Sequence, residues 1–156
     1  RRDVPIGQLA DGRIYCKKFV KKPVLPNQSN ANFVVLRYTD VLLMYAEALN
    51  EISYSSSGDA IKYLNEVRQR AGLQLYTSQQ ITGKDEFRNL IWDERRCEFA
   101  FENQRWFDLL RSGKAVEVMN KSSNGDFAIE PYQLLFPIPQ NQIDIAPDVM
   151  KQNDNY

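Results

Sequence analysis

The chain has 156 residues, 43% hydrophobic and 26% charged, and its 20 basic and 20 acidic residues leave no formal net charge. That size and balance fit one ordered domain burying roughly two thirds of its unfolded surface, and argue against nucleic acid or an anionic membrane as a partner bound by counterion release. Histidine is absent, which excludes Ser-His-Asp and Cys-His devices and the usual zinc and di-iron ligand sets; no metal site and no cofactor is expected.

Residues 1–35 carry Pro5, Pro23 and Pro26 and the turn-rich run Pro26-Asn27-Gln28-Ser29-Asn30. Only Ile14-Tyr15 and Phe33-Val34-Val35-Leu36 could be strands, so this part reads as an extended arm that needs something to lie against. The first residues, RRDVPIGQLADGR, have neither a starting methionine nor the core of a signal peptide, and the chain reads as a piece of a longer one. No run approaches the roughly 18 apolar residues of a membrane span.

Residues 36–120 read as a helical core. A first helix spans about Thr39 to Glu51, with Thr39 or Asp40 as its cap. Its broad apolar face is Val41, Met44, Tyr45, Ala48, Leu49 and Ile52, widened by Leu42, Leu43 and Ala46, with Asp40, Glu47 and Glu51 as a narrow acidic strip. A helix so apolar sits inside a bundle. After the polar turn at Tyr54–Gly58, a second helix spans about Asp59 to Ala71 and stops at Gly72. Ala60, Leu64, Val67 and Ala71 line its face, and Arg68 points toward the core edge. Ala46 and Ala60 sit at close-packing positions, like one tetratricopeptide-type hairpin.

A third helix, capped around Thr82–Asp85, is expected to run to about Glu102. Phe87, Leu90, Ile91, Cys97 and Phe101 fall on its core side by helical periodicity, with Cys97 as a small core residue. A disulfide with the distant Cys16 is the minor alternative. Glu94 and Glu98 project into the same apolar arc, and leaving such carboxylates buried and unpaired costs several kcal/mol or more. Arginines must therefore lie close, with Arg68 leading and Arg37, Arg70 and Arg105 as the others. Asn103 breaks or recaps the helix, which resumes from Gln104 to Arg111. Gly113 marks a further break before a short helix at Lys114–Met119. Residues 121–156 read as an exposed loop and an extended tail. The whole, 1–156, is taken as one domain.

Glu94, Glu98 and Glu102 recur every four residues. A glycosidase opposes two carboxylates across a cleft, which side-by-side residues on one helix do not offer, so the series reads as a structural ion-pair network, with no catalytic residue. Trp106 could stack on a sugar, but an aromatic at helical spacing reads first as core. Tyr54, Tyr76 and Tyr132 stand in polar loops and are the candidate glycan-stacking rings, offering an apolar face and a hydroxyl; an ordinary surface tyrosine is the competing reading for each.

Four blocks in order resemble the C-terminal part of the SusD/RagB family of Bacteroidetes-type nutrient-binding lipoproteins: LRYTDVLLMYAEALNE (36–51), LNEVRQRAG (64–72), IWDERRCEFAFENQRWFDL (91–109), and LFPIPQN (135–141) with Gln152-Asn153. Thr39 stands where the family has alanine, Asn103 where it has glycine, and Asp154-Asn155-Tyr156 where it ends in Pro-Gly-Tyr. The resemblance implies a mainly α protein: a tetratricopeptide-like hairpin packed with further helices and irregular extended N- and C-terminal segments. It further implies a non-catalytic protein on the outer face of the outer membrane, held by a lipid anchor absent from this chain, that passes a glycan or other nutrient to a TonB-dependent transporter. The matching blocks are scaffold, so no binding residue carries over. The rival readings are a tetratricopeptide-like protein-interaction module with no small ligand and, less favoured, a carbohydrate-active enzyme.

Overall fold

The computed structural model describes residues 6–21, 23–26, 28, 30–123, 126 and 128–156. It is mainly helical, and it divides into two compact units, Arg1–Asn103 and Gln104–Tyr156.

In the first unit, β1 (Ile6–Gln8) and β2 (Ile14–Cys16) form an antiparallel hairpin with Gly7 opposite Tyr15. The Tyr15 ring lies where a side chain at position 7 would stand, so any larger residue there would have to displace that ring. Phe33–Leu36 forms no strand and is largely exposed coil. Pro5, Asn27 and Ser29 lie outside the described residues.

Helix α1 (Tyr38–Ile52) and helix α2 (Asp59–Arg70) form the tetratricopeptide-like hairpin, and α3 (Lys84–Glu98) packs on both. The small side chains of Ala46 and Ala60 are both buried in the common core. Leu43, Leu64, Phe87 and Ile91 are fully buried at the centre, each contributing about 1.5–3 kcal/mol through burial.

The face of α1 turned to α2 and α3 is not the one expected. Leu42, Leu43, Ala46 and Asn50 are buried, whereas Val41, Met44, Tyr45, Ala48 and Ile52 are exposed. Nor does Thr39 or Asp40 cap the helix. Arg37 holds the N-cap position, and the Asp40 carboxylate turns inward to Arg95.

Helix α2 ends as expected. Gly72 takes φ +70°, and the Gly72 and Leu73 N–H groups donate to the Gln69 and Arg68 carbonyls at 3.0 and 2.9 Å, a two-bond left-handed cap. At the start of α3, Glu86 reaches back to accept from the Thr82 N–H and hydroxyl, at 2.7 and 2.6 Å.

Helix α3 stops at Glu98, four residues before the expected end, with Phe99 as its C-cap. Phe101 and Asn103 both take left-handed φ, +68° and +60°, so the chain turns off the helical path. Phe101 is therefore exposed, not core; Cys97, still within α3, lies on its exposed side, and both cysteines are free. Asn103 and Asn155 (φ +69°) both adopt the conformation that glycine tolerates best, at positions where the family pattern has glycine. Asparagine is the next most tolerant residue there.

The second unit holds α4 (Arg105–Arg111), α5 (Ala115–Ser122) and a short α6 (Gln140–Ile145) within the tail expected to be extended. Gly113, at φ +69°, closes α4 with the same two-bond cap: its N–H and that of Lys114 donate to Leu110 and Leu109. The extended pieces are held by side-chain amides instead of by a sheet. Gln152 accepts from the Ile138 N–H at 2.8 Å and donates to its carbonyl at 2.9 Å. Asn120 treats Ile129 in the same way, at 2.7 and 3.1 Å.

Candidate functional site

The cluster of greatest chemical interest lies where α3 ends. Glu94 and Glu98 are buried, as periodicity requires of a residue facing the hairpin. Glu94 Oε2 accepts from Arg68 Nη1 at 2.9 Å. The same guanidinium donates from Nε to the Gln74 carbonyl and lies over the Tyr76 ring at 3.9 Å. Glu98 Oε1 accepts from Arg37 Nη1 at 2.9 Å and also pairs with Arg70.

Glu102, beyond the helix, joins the same cluster through a turn. Arg37 grips it with Nε and Nη2 at 2.8 and 3.0 Å, and Lys18 Nζ donates to it at 2.6 Å. Lys18 Nζ also donates to the Glu98 and Ala100 carbonyls, and Arg37 Nη2 to that of Glu98. These carbonyls belong to the helix end and the turn after it, where backbone acceptors need outside donors and cations suit the negative end of the dipole. Burial pulls the Glu102 carboxyl upward, but the hydrogen bonds from Arg37 and Lys18 outweigh it and hold it below the usual range. For Arg37, desolvation works against the charge, and its bonds to Glu102 and Glu98 more than restore it. Arg105 opens α4 in the second unit.

Sequence reasoning missed one member of this cluster, Lys18, and a neighbouring buried pair, Arg95 with Asp40. Lys18 comes from the arm, 84 positions before Glu102, and no periodicity links residues so far apart. The buried pair Arg95–Asp40, at 2.6 Å, was hidden because Asp40 read as part of a solvated strip. Arg95 and Arg37 also lie over the Phe99 ring, at 4.9 and 4.5 Å.

Of the three candidate tyrosines, Tyr54 and Tyr76 belong to the first unit and Tyr132 to the second. The Tyr54 hydroxyl donates to the Ile81 carbonyl at 2.8 Å, and its ring meets Phe87 edge-on. Tyr76 packs against the core beneath Arg68, and its backbone N–H and carbonyl are both bound by Asn65 at 2.9 Å. Tyr132, in the second unit, sits in the short 3-10 turn Pro131–Leu134, its ring 5.2 Å from that of Tyr156 at 77°. Trp106 is half-buried on α4, with its indole N–H enclosed. Among the described residues no cluster of carboxylates and thiols has the geometry to hold a metal ion, and no helix is long and apolar enough to cross a membrane.

The SusD family matches this chain over residues 5–156. The SusD-like protein P2 of Formosa agariphila is 37% identical over 142 residues, which cover 83% of this chain and 27% of that protein. The SusD-like protein P38 of the same organism is 39% identical over 108 residues, 65% of this chain and 21% of that one. A SusD superfamily protein from Parabacteroides distasonis superposes with a TM-score of 0.76 at 34% identity, covering 93% of this chain and 32% of that one. A SusD homolog from Bacteroides thetaiotaomicron gives 0.70 at 33% identity, covering 90% and 30%. The chain thus spans about a quarter of the length of the curated relative P2.

Proposed function

The chain belongs to the SusD family, and from that membership we propose that it is the C-terminal part of a non-catalytic, glycan-binding protein of the outer-membrane surface. It acts with a TonB-dependent transporter, to which it delivers its ligand, and a lipid anchor outside this chain holds it at the membrane. The observation that carries this reading is the family match over residues 5–156.

The chemistry of the carboxylates supports the absence of catalysis. A general acid working near neutrality needs its pKa raised, and Glu102 is displaced the other way. Glu94 and Glu98 face arginines instead of an open cleft. Of the three rings proposed for stacking, Tyr132 is the strongest, because Tyr54 and Tyr76 are already engaged with the core. The network of Arg37, Arg68, Glu94 and Glu98 is proposed to be scaffold, with Arg105 its least supported member.

The test is a glycan array followed by calorimetry on the intact polypeptide. Saturable binding to one glycan class is expected, with no release of reducing ends. Tyr132→Ala should weaken that binding, whereas Glu98→Gln should lower stability and leave the affinity of the folded protein unchanged. New reducing ends in the glycan panel would refute the non-catalytic reading.

A further inference from the structure

The turn after α3 is held in a conformation that its own residues disfavour. Phe101 takes φ +68°, and Phe19, next to Lys18 in the arm, takes φ +61°. A bulky side chain rarely adopts this left-handed region, and where it does the surroundings impose it. Asn103, at φ +60°, has a side chain that suits the region and that commonly ends helices there. The chain thus carries a good helix stop at 103 and a poor one at 101. A helix continued from Glu98 to Glu102 would end on the good one.

What blocks that continuation can be located at one atom. In a longer α3 the Glu102 N–H would donate to the Glu98 carbonyl. That oxygen has two lone pairs, and two donors from outside the helix engage it, Lys18 Nζ at 2.6 Å and Arg37 Nη2 at 3.0 Å. The Glu102 N–H turns instead to the Phe99 carbonyl at 3.0 Å. Lys18 Nζ also holds the Ala100 carbonyl at 2.9 Å and the Glu102 carboxylate at 2.6 Å, so its bonds pin both sides of Phe101. The arm adds nothing to the buried core: no described residue from 6 to 35 belongs to that cluster.

We infer that the arm and the last turn of α3 form a two-state strap: with Lys18 docked the helix stops at Glu98, and with Lys18 withdrawn it runs on to Glu102. Withdrawal frees one lone pair of the Glu98 carbonyl for the Glu102 N–H, and it lets Phe19 and Phe101 leave the left-handed region. In the docked state the three bonds of the ammonium, one of them to a carboxylate, outweigh that strain. A displacement of the arm is thereby converted into one added turn of helix just before the second unit begins at Gln104.

The experiment uses the intact polypeptide and reads amide exchange residue by residue. Among the described residues neither the Ala100 nor the Phe101 N–H has a backbone acceptor, whereas in the longer helix they donate to the Arg96 and Cys97 carbonyls. Lys18→Met should therefore slow exchange at both by roughly tenfold, with Ile91 unchanged. The Val20 amide, closed onto the Lys17 carbonyl at 3.3 Å in the docked arm, should exchange faster. General destabilisation would speed all of these. Exchange at Ala100 and Phe101 that is unchanged or faster would overturn the inference. Phe101→Gly leaves Lys18 in place and tests the strain separately. Glycine takes the left-handed turn without penalty, so the urea midpoint should rise, and a lower midpoint would equally sink the strap.

Discussion

At the scale of the residue, the buried charges are the main cost that the fold must offset. Arg95 is 4% exposed and sits against Asp40, and an ion pair in that setting roughly balances desolvation against attraction. Removing one partner is different, because the other charge stays buried. Asp40→Ala should destabilise the protein by about 3–5 kcal/mol, read as a lower midpoint of urea unfolding. Asp40→Ala/Arg95→Met should recover most of that loss. A single mutant as stable as the parent would show that the charge escapes to water. The glutamates were legible in the sequence because they interrupt an apolar arc. Asp40 was not, because an acid in the first turn of a helix ordinarily favours the dipole from outside.

At the scale of the element, caps and amide clamps replace what a sheet would supply. Gly72 and Gly113 end their helices as the sequence predicts, since a left-handed φ selects glycine. The early end of α3 was not legible: Arg37 and Lys18, from outside the helix, bind its last carbonyls, and Phe101 turns left-handed despite its side chain. Among the described residues, irregular segments are bound in three places by one side-chain amide meeting both backbone groups of one residue: Asn65 with Tyr76, Asn120 with Ile129, Gln152 with Ile138. Asn65→Ala leaves the Tyr76 N–H and carbonyl without these bonds. It should cost about 1–3 kcal/mol and speed amide exchange at Tyr76, while exchange within α1 stays unchanged. Equal acceleration throughout the unit would mean global destabilisation instead of a lost clamp.

At the scale of the whole molecule, the acid response follows from the carboxylates. Glu102 is held below its ordinary pKa of 4.5, and the Arg88 hydrogen bond, with help from Lys84 and against the opposing effect of burial, lowers Glu51 to about 2. In both cases the unfolded chain takes up protons first as pH falls, so it binds more protons in that window and stability rises with pH. The contribution is complete above about 4.5 and is lost as pH falls through the lowered values. Glu102, with its side chain 6% exposed, should dominate over the more solvated Glu51, at 41%. The urea midpoint should drop as the pH is lowered from 4.5 toward 2, and Glu102→Gln should flatten part of that slope. An unchanged slope in the variant would reassign the effect.

The sequence by itself determined the helical class, the hairpin, the two glycine caps and the need for cations beside Glu94 and Glu98, because periodicity, φ preference and desolvation act locally or on composition. Only the tertiary structure decided which face of α1 is buried. Both faces are apolar, and the choice turned on whether Asp40, Glu47, Asn50 and Glu51 find partners on α3. It also brought Lys18 from the arm and Arg37 from the N-cap of α1 to the end of α3. That pairing spans 61 to 84 positions, and no local preference in the chain encodes a contact of that range.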